Sequence, residues 1–100
     1  MPMDKEQVLA ILRAHEAELH ARGVKHAALF GSVARGEADA QSDIDILIEL
    51  EPDLKRTVFG YAGLKRAIAA LFPGRVDIVS RQRLKDGLQK AVETDVINAF

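Results

Sequence analysis

One stretch of the chain combines a glycine turn with a pair of acidic residues. An apolar segment ends at Gly31-Ser32, and ten residues (33–42) separate this turn from Asp43 and Asp45, which open a second apolar segment. Glycine after an apolar strand lets the chain turn sharply, because glycine adopts backbone conformations that other residues avoid. The alternation of apolar and polar residues after Asp43 is typical of a strand with one buried face. The stretch therefore predicts strand, turn, short helix, loop and strand.

The rest of the sequence predicts an alternation of helices and strands. The pattern of apolar residues predicts helices over residues 5–21 and about 56–71, with Asp4 as the N-cap of the first, and strands over residues 24–30, 43–50 and 75–79. A weaker helical pattern covers residues 81–100, and for residues 94–100 both helix and extended chain stay open. This order predicts an α+β fold in which helices flank a short mixed sheet of about three strands.

Length, charge and composition exclude several classes of protein. One hundred residues predict a single domain spanning residues 1–100. The net charge of −1 argues against direct nucleic-acid binding, which needs a clear basic excess. The chain has no cysteine, which excludes disulfides and thiolate metal sites. The sequence contains neither a signal-peptide pattern nor an apolar run long enough to cross a membrane, and we expect a cytoplasmic protein.

Three aspartates have the chemistry of a divalent-metal site. Asp43 and Asp45 share one face of a strand about 6.6 Å apart, so their carboxylates can bind one ion or a pair of ions. Asp77 lies in another apolar strand, and it joins them if the two strands are neighbours. Oxygen ligands of this kind favour Mg²⁺ or Mn²⁺ over zinc. The alternative is structural, with Asp43 as a cap and Asp45 and Asp77 as solvated polar positions.

The turn at Gly31-Ser32 has the chemistry of a phosphate site. A glycine and a serine at the start of a helical turn expose backbone N–H groups, and the Ser32 hydroxyl adds a further donor. The alternative is again structural, with Gly31 permitting the turn and Ser32 capping it. The turn matches neither the P-loop pattern nor the dinucleotide-binding fingerprint.

Taken together, these motifs resemble a known family. The string Gly31-Ser32-Val33-Ala34-Arg35-Gly36, followed by Ser42-Asp43-Ile44-Asp45 and by a lone Asp77 in a third strand, resembles the nucleotidyltransferases of the DNA polymerase β superfamily. It is most similar to their minimal nucleotidyltransferase (MNT) group. These are small cytoplasmic prokaryotic proteins that are often paired, as antitoxins, with a HEPN-domain toxin. The resemblance extends from the first helix to the third strand.

The resemblance implies a role for each motif residue. Gly31 and Ser32 would hold the β- and γ-phosphates of a nucleoside triphosphate, and Asp43, Asp45 and Asp77 would bind two Mg²⁺ ions. Asp77 would also help to activate the acceptor hydroxyl. Arg35 would contact a phosphate, although a helix-end role or an ion pair with Glu37 or Asp39 is equally compatible with its position.

The resemblance also implies an activity and a partner. The enzyme would transfer AMP from ATP to a hydroxyl of a HEPN toxin, with tyrosine as the expected acceptor, in a hetero-oligomer. Two other functions stay open: a non-catalytic antitoxin that masks its partner by contact, and a transferase acting on a small-molecule hydroxyl. The sequence leaves undecided the acceptor, the base preference, the stoichiometry and the activity of the isolated chain.

Overall fold

The computed structural model describes residues 4–37, 43–51, 58–81 and 96–100. The elements in these residues are α1 (Lys5–Ala14), α2 (Glu16–Ala21), β1 (Val24–Phe30), α3 (Gly31–Ala34), β2 (Ile44–Leu50), α4 (Val58–Ala69), β3 (Val76–Ser80) and β4 (Ile97–Asn98). The strands predicted over residues 24–30, 43–50 and 75–79 are confirmed to within one residue at each end. Most of the predicted loop before Asp43, the predicted start of the second long helix and the predicted helical pattern over residues 82–95 lie outside the described residues.

The single helix predicted over residues 5–21 is wrong, because the helix breaks at His15. Asp4 caps α1 as predicted, since its side chain accepts a hydrogen bond from the Gln7 backbone N–H (2.9 Å) and the Gln7 side chain accepts one from the Asp4 N–H (3.0 Å). At His15, ring nitrogen Nδ1 lies 2.8 Å from the Ile11 carbonyl oxygen, where it competes with the helical backbone donor. The His15 backbone N–H donates instead to Leu12, which tightens the last turn of α1 and separates it from α2.

The described residues form a mixed four-stranded sheet in the order β3-β2-β1-β4. Strand β1 pairs antiparallel with both β2 and β4, whereas β2 and β3 are parallel. The α+β class and the mixed sheet are confirmed. Part of the question left open for residues 94–100 is answered by the fourth strand, since residues 97–98 are extended and pair with β1.

Two of the predicted acids project from the face of the sheet opposite its helix-packed core, and Ala28 and Leu47 are buried on that same face. One face packs against the helices and supplies core residues such as Leu29, Ile46 and Ile78, all at most 4% exposed. Because side chains alternate along a strand, Phe30 and Asp45 lie on the opposite face, together with Asp77. In the described part of the chain, no helix has the length and apolar character needed to cross a membrane.

Candidate active site

The glycine turn lies directly against a carboxylate. Strand β1 ends at Phe30, and Gly31 begins α3 with a backbone φ of +78°, a conformation that favours glycine. A Cβ atom placed on Gly31 would overlap the Asp45 carboxylate, and it would come within 3.0 Å of the Asp45 Cγ atom. Glycine is therefore required at this position both by the turn and by the close approach of Asp45.

Asp45 and Asp77 are neighbours across two parallel strands. They occupy the same register position of β2 and β3, while Phe30 occupies the matching position of β1. Ile44 and Ile78 are buried, so the core fixes the strands whose alternate residues carry the two acids. The neighbouring strands that our metal hypothesis required are thus present. Asp43 lies just before β2 and is exposed.

We call Asp43, Asp45 and Asp77 the acid row, and the charge state of its middle residue reflects both burial and the neighbouring charges. The pKa of Asp45 is raised above its ordinary value of 3.8, first because burial removes water from the carboxylate, and then because the charges of Asp77 and Asp43 repel its ionised form. Arg35 acts in the opposite direction and lowers this pKa. The other two predicted acids and the predicted arginine therefore all lie within electrostatic reach of Asp45.

Arg35 has a defined partner in the structure. Its Nε–H donates to Glu37 Oε2 at 2.9 Å, and the two side chains are 41% and 64% exposed. The ion pair with Glu37 is one of the roles that its position left open. Arg35 also lowers the pKa of Asp45, so its positive charge acts on the same place where a phosphate would bind. A contact between Arg35 and a phosphate is therefore compatible with the geometry. Asp39, the other possible partner named from the sequence, lies outside the described residues.

The pair of Asp45 and Asp77 fits an oxygen-ligated cation. Asp45 and Asp77 present hard oxygen donors side by side, and a divalent ion would neutralise the repulsion that raises the pKa of Asp45. Among the described residues, no group of three or more His, Cys, Asp or Glu side chains is arranged to hold a metal ion. Ser32 is half-buried in the first turn of α3, beside Gly31.

Sequence reasoning missed two residues near the acids. Phe30 is paired with Asp45 across β1 and β2, and Glu37 accepts a hydrogen bond from Arg35. The position of Phe30 directly before the glycine turn was a usable signal. Its register against Asp45 was not readable, because the pairing of two strands depends on the geometry of their connection as well as on the pattern of each strand. The Glu37 pairing was foreseen as an alternative for Arg35 but not as part of the site.

The sequence of the chain is similar to known nucleotidyltransferases. Residues 9–99 match the pattern of the nucleotidyltransferase domain family. The chain is 40% identical over 95 residues to the protein adenylyltransferase MntA of Thermococcus cleftensis, covering 92% of each chain. It is also 32% identical over 93 residues to a candidate protein adenylyltransferase of Methanocaldococcus jannaschii, covering 91% of this chain and 93% of the relative.

Solved structures share the fold. A candidate minimal nucleotidyltransferase is 39% identical, with a TM-score of 0.77 and coverage of 95% of both chains. A chain from the complex of a tri-AMPylated Shewanella oneidensis HEPN toxin with an MNT antitoxin is 18% identical, with a TM-score of 0.64 and coverage of 92% of this chain and 71% of that chain. At that identity, the second likeness supports the fold alone.

Proposed function

The chain belongs to the nucleotidyltransferase domain family, and from this premise we propose that it transfers AMP from ATP to a protein hydroxyl group. We propose further that the acceptor is a tyrosine of a HEPN-domain toxin and that the chain acts as its antitoxin in the cytoplasm. The observation that carries the proposal is the in-register pair of Asp45 and Asp77 beside the Gly31 turn. The adenylyltransferase name of the Thermococcus relative supports AMP as the transferred group. The HEPN toxin is the partner that the resemblance of the sequence motifs implies.

Each predicted site residue has a proposed task. The backbone N–H groups and the hydroxyl at Gly31-Ser32 bind the β- and γ-phosphates of ATP. Asp43, Asp45 and Asp77 hold two Mg²⁺ ions, which supply charge neutralisation and alignment of the triphosphate when they are bound. Arg35 approaches the phosphates from its ion pair with Glu37. With the triphosphate bound in this way, its α-phosphorus would lie over the acid row.

The proposed reaction is one displacement at phosphorus. The acceptor oxygen attacks the α-phosphorus of ATP, the bond from that phosphorus to the β-phosphate oxygen breaks, and pyrophosphate leaves. Asp77 accepts the hydroxyl proton, directly or through water, because its exposed carboxylate lies at the open end of the row. The described residues contain no separate helical region for an acceptor, so we propose that the partner chain completes the acceptor site.

A labelling experiment tests the transfer. The chain is incubated with the co-expressed partner and with ATP labelled at either the α- or the γ-phosphate. We expect label on the partner from α-labelled ATP alone, and a loss of at least about 100-fold in Asp45→Asn and Asp77→Asn, the range seen when groups that stabilise transition-state charge are removed. Glu49→Gln is the matched control, because Glu49 lies on the same strand and face as Asp45, four positions away.

Two outcomes would favour the other functions. Equal labelling by wild type and both aspartate variants excludes catalysis by this row. If the Asp45→Asn/Asp77→Asn double variant still neutralises the partner in cells, masking by contact explains the antitoxin function. If label from α-labelled ATP appears in a small molecule of a cell extract and not on the partner, the acceptor is a small-molecule hydroxyl.

A further inference from the structure

An aromatic side chain lies beside the acid row without a place in the core. We propose that the ring of Phe30 is the platform on which the nucleoside of the donor nucleotide packs, which makes Phe30 a residue that determines donor affinity and base preference. The inference rests on the proposed function, because it assigns a further contact to the same nucleotide site. It also names a residue for base recognition, a task that the motif residues leave unassigned.

The register of the sheet places Phe30 next to the acid row. Phe30 is paired with Asp45 across β1 and β2, and Asp45 is paired with Asp77 across β2 and β3. Paired residues of neighbouring strands project from the same face, with Cβ atoms about 4.5–5.5 Å apart in an antiparallel pair. The ring therefore stands next to the Asp45 carboxylate, on the face of the sheet opposite Leu29 and Ile46.

The surroundings of Phe30 differ from those of the other described aromatic residues. Phe72 is 7% exposed and belongs to the core, and Phe100 packs against the core and meets the His20 ring edge-on at a centroid distance of 5.0 Å. Phe30 is half-buried, and it is absent from the core and from the half-buried apolar side chains that pack against it in the described part of the chain. A partly exposed ring that does not pack into the described core leaves apolar surface that a ligand can cover.

The chemistry of a nucleoside triphosphate matches this arrangement. Gly31 follows Phe30 directly, so the same turn that would hold the terminal phosphates also fixes the position of the ring. An α-phosphate over Asp45 has the ribose and base as its next groups, within reach of a ring one strand away. Every base presents a π-face, and stacking of a base on an aromatic side chain is favourable without regard to hydrogen-bonding pattern. Purines, which have the larger face, should be preferred over pyrimidines.

A fluorescent substitution tests the contact directly. The chain contains no tryptophan, so Phe30→Trp gives a single indole reporter. We expect the indole emission of Phe30→Trp to change on titration with MgATP and to change much less with magnesium tripolyphosphate, which lacks the nucleoside. Phe100→Trp is the matched control, because Phe100 is half-buried in a contact with His20 away from the acid row. Its emission should not respond.

Kinetics and binding of conservative variants test the consequence. Removing a stacking platform costs roughly tenfold in nucleotide affinity. We therefore expect Phe30→Leu to raise KM for ATP by about tenfold with little change in kcat, and Phe30→Tyr to keep the wild-type KM. The purine preference, measured as ATP against CTP binding by calorimetry, should fall in Phe30→Leu. Thermal unfolding of each variant checks that the fold is retained.

The outcomes separate this inference from the proposed function. If wild type binds MgATP but the emission of Phe30→Trp is unchanged, or responds equally to tripolyphosphate, the ring does not contact the nucleoside and the inference is overturned. It is also overturned if Phe30→Leu keeps the wild-type KM and base preference. Failure of wild type to bind MgATP in calorimetry overturns the proposed function and the inference together.

Discussion

At the scale of single residues, Gly31 and Asp45 are coupled by direct contact. The positive φ of Gly31 and the Asp45 carboxylate at the position of its missing side chain are two separate reasons for glycine. Gly36 shares the first reason, with a φ of +73°, but among the described atoms nothing lies within 4 Å of where its Cβ would be. The two glycines therefore allow backbone strain to be separated from the approach of the acid.

We expect Gly31→Ala to lose more stability than Gly36→Ala. A left-handed conformation costs an alanine about 1–2 kcal/mol, and crowding in a packed site adds about 1–3 kcal/mol at Gly31. Urea unfolding measures both variants. In an Asp45→Ala background, which removes the carboxylate but keeps a Cβ atom 3.2 Å from the added methyl group, most of the difference between Gly31→Ala and Gly36→Ala should disappear. If the difference between the two glycines survives there, the contact with Asp45 is not its cause.

The raised pKa of Asp45 predicts a stability cost at neutral pH. Because its folded-state pKa lies above the unfolded-state value near 3.8, its favourable contribution is full below that value and is lost as pH rises through the folded pKa. Asp45→Asn should therefore be more stable than wild type at pH 7 and no more stable at about pH 3. The group is partly solvated, so we expect only about 0.5 kcal/mol, or about 2–4 °C in Tm.

NMR titration of the Asp45 carboxyl carbon checks the cause of this shift. Asp77→Asn should lower the pKa of Asp45 toward its ordinary value, because it removes the repelling charge named after burial. Arg35→Gln should raise the pKa further, because it removes the compensating cation. A pKa of Asp45 that does not respond to either substitution would contradict the charge coupling within the row.

At the scale of elements, a remote arginine holds β4 on the sheet. From α1, the Arg13 Nε–H donates to the Ala99 carbonyl (2.9 Å) and its Nη2–H to the Asn98 carbonyl (3.2 Å). The Ala99 backbone N–H donates to the Ala27 carbonyl at 2.9 Å, which ties this segment to β1. A two-residue strand has little pairing of its own, so its position depends on these contacts with distant parts of the chain.

We expect Arg13→Ala to loosen the β4 segment. Loss of two hydrogen bonds from a charged donor should cost about 1–2 kcal/mol. Amide hydrogen exchange should show lost protection at Ala99 with retained protection in the central strand β2. The control is Arg66→Ala, an exposed position of α4, which should change stability by less than about 0.5 kcal/mol. Unchanged protection at Ala99 would mean that the arginine does not hold the strand.

These elements also explain what the sequence could predict. The span of β1 was predictable because glycines bound an apolar segment, and the meeting of Asp45 and Asp77 was predicted on the condition that their strands are neighbours. The break in the first helix at His15 was not predictable, because it depends on a side chain that competes for a backbone carbonyl group. Strand β4 was not predictable either, since its two residues carry no periodic pattern and contacts with Arg13 and Ala27 fix it.

At the scale of the whole molecule, three strands meet at one end of the sheet. Strand β1 ends there and β2 and β3 begin there, so a buried core fixes the glycine turn and the carboxylates relative to one another. A rigid frame of this kind suits the alignment of a triphosphate, since alignment requires positions held closely before the substrate binds. The same frame brings the carboxylates of the acid row close together, and a bound cation would offset their negative charge. The protein should therefore be more stable with MgATP bound than without it.

We therefore expect MgATP to stabilise the whole domain. A ligand that binds the native state at ten times its Kd adds about 1.4 kcal/mol, which corresponds to roughly 6–11 °C in Tm for a domain of this size. Differential scanning fluorimetry with MgATP, with ATP plus EDTA and with MgCl₂ alone separates the contributions. The rise should need both metal and nucleotide, and it should vanish in Asp45→Asn/Asp77→Asn but persist in Glu49→Gln. An equal rise in the double variant would show that the nucleotide binds elsewhere, because the carboxylates that make this end of the sheet anionic would then play no part in holding it.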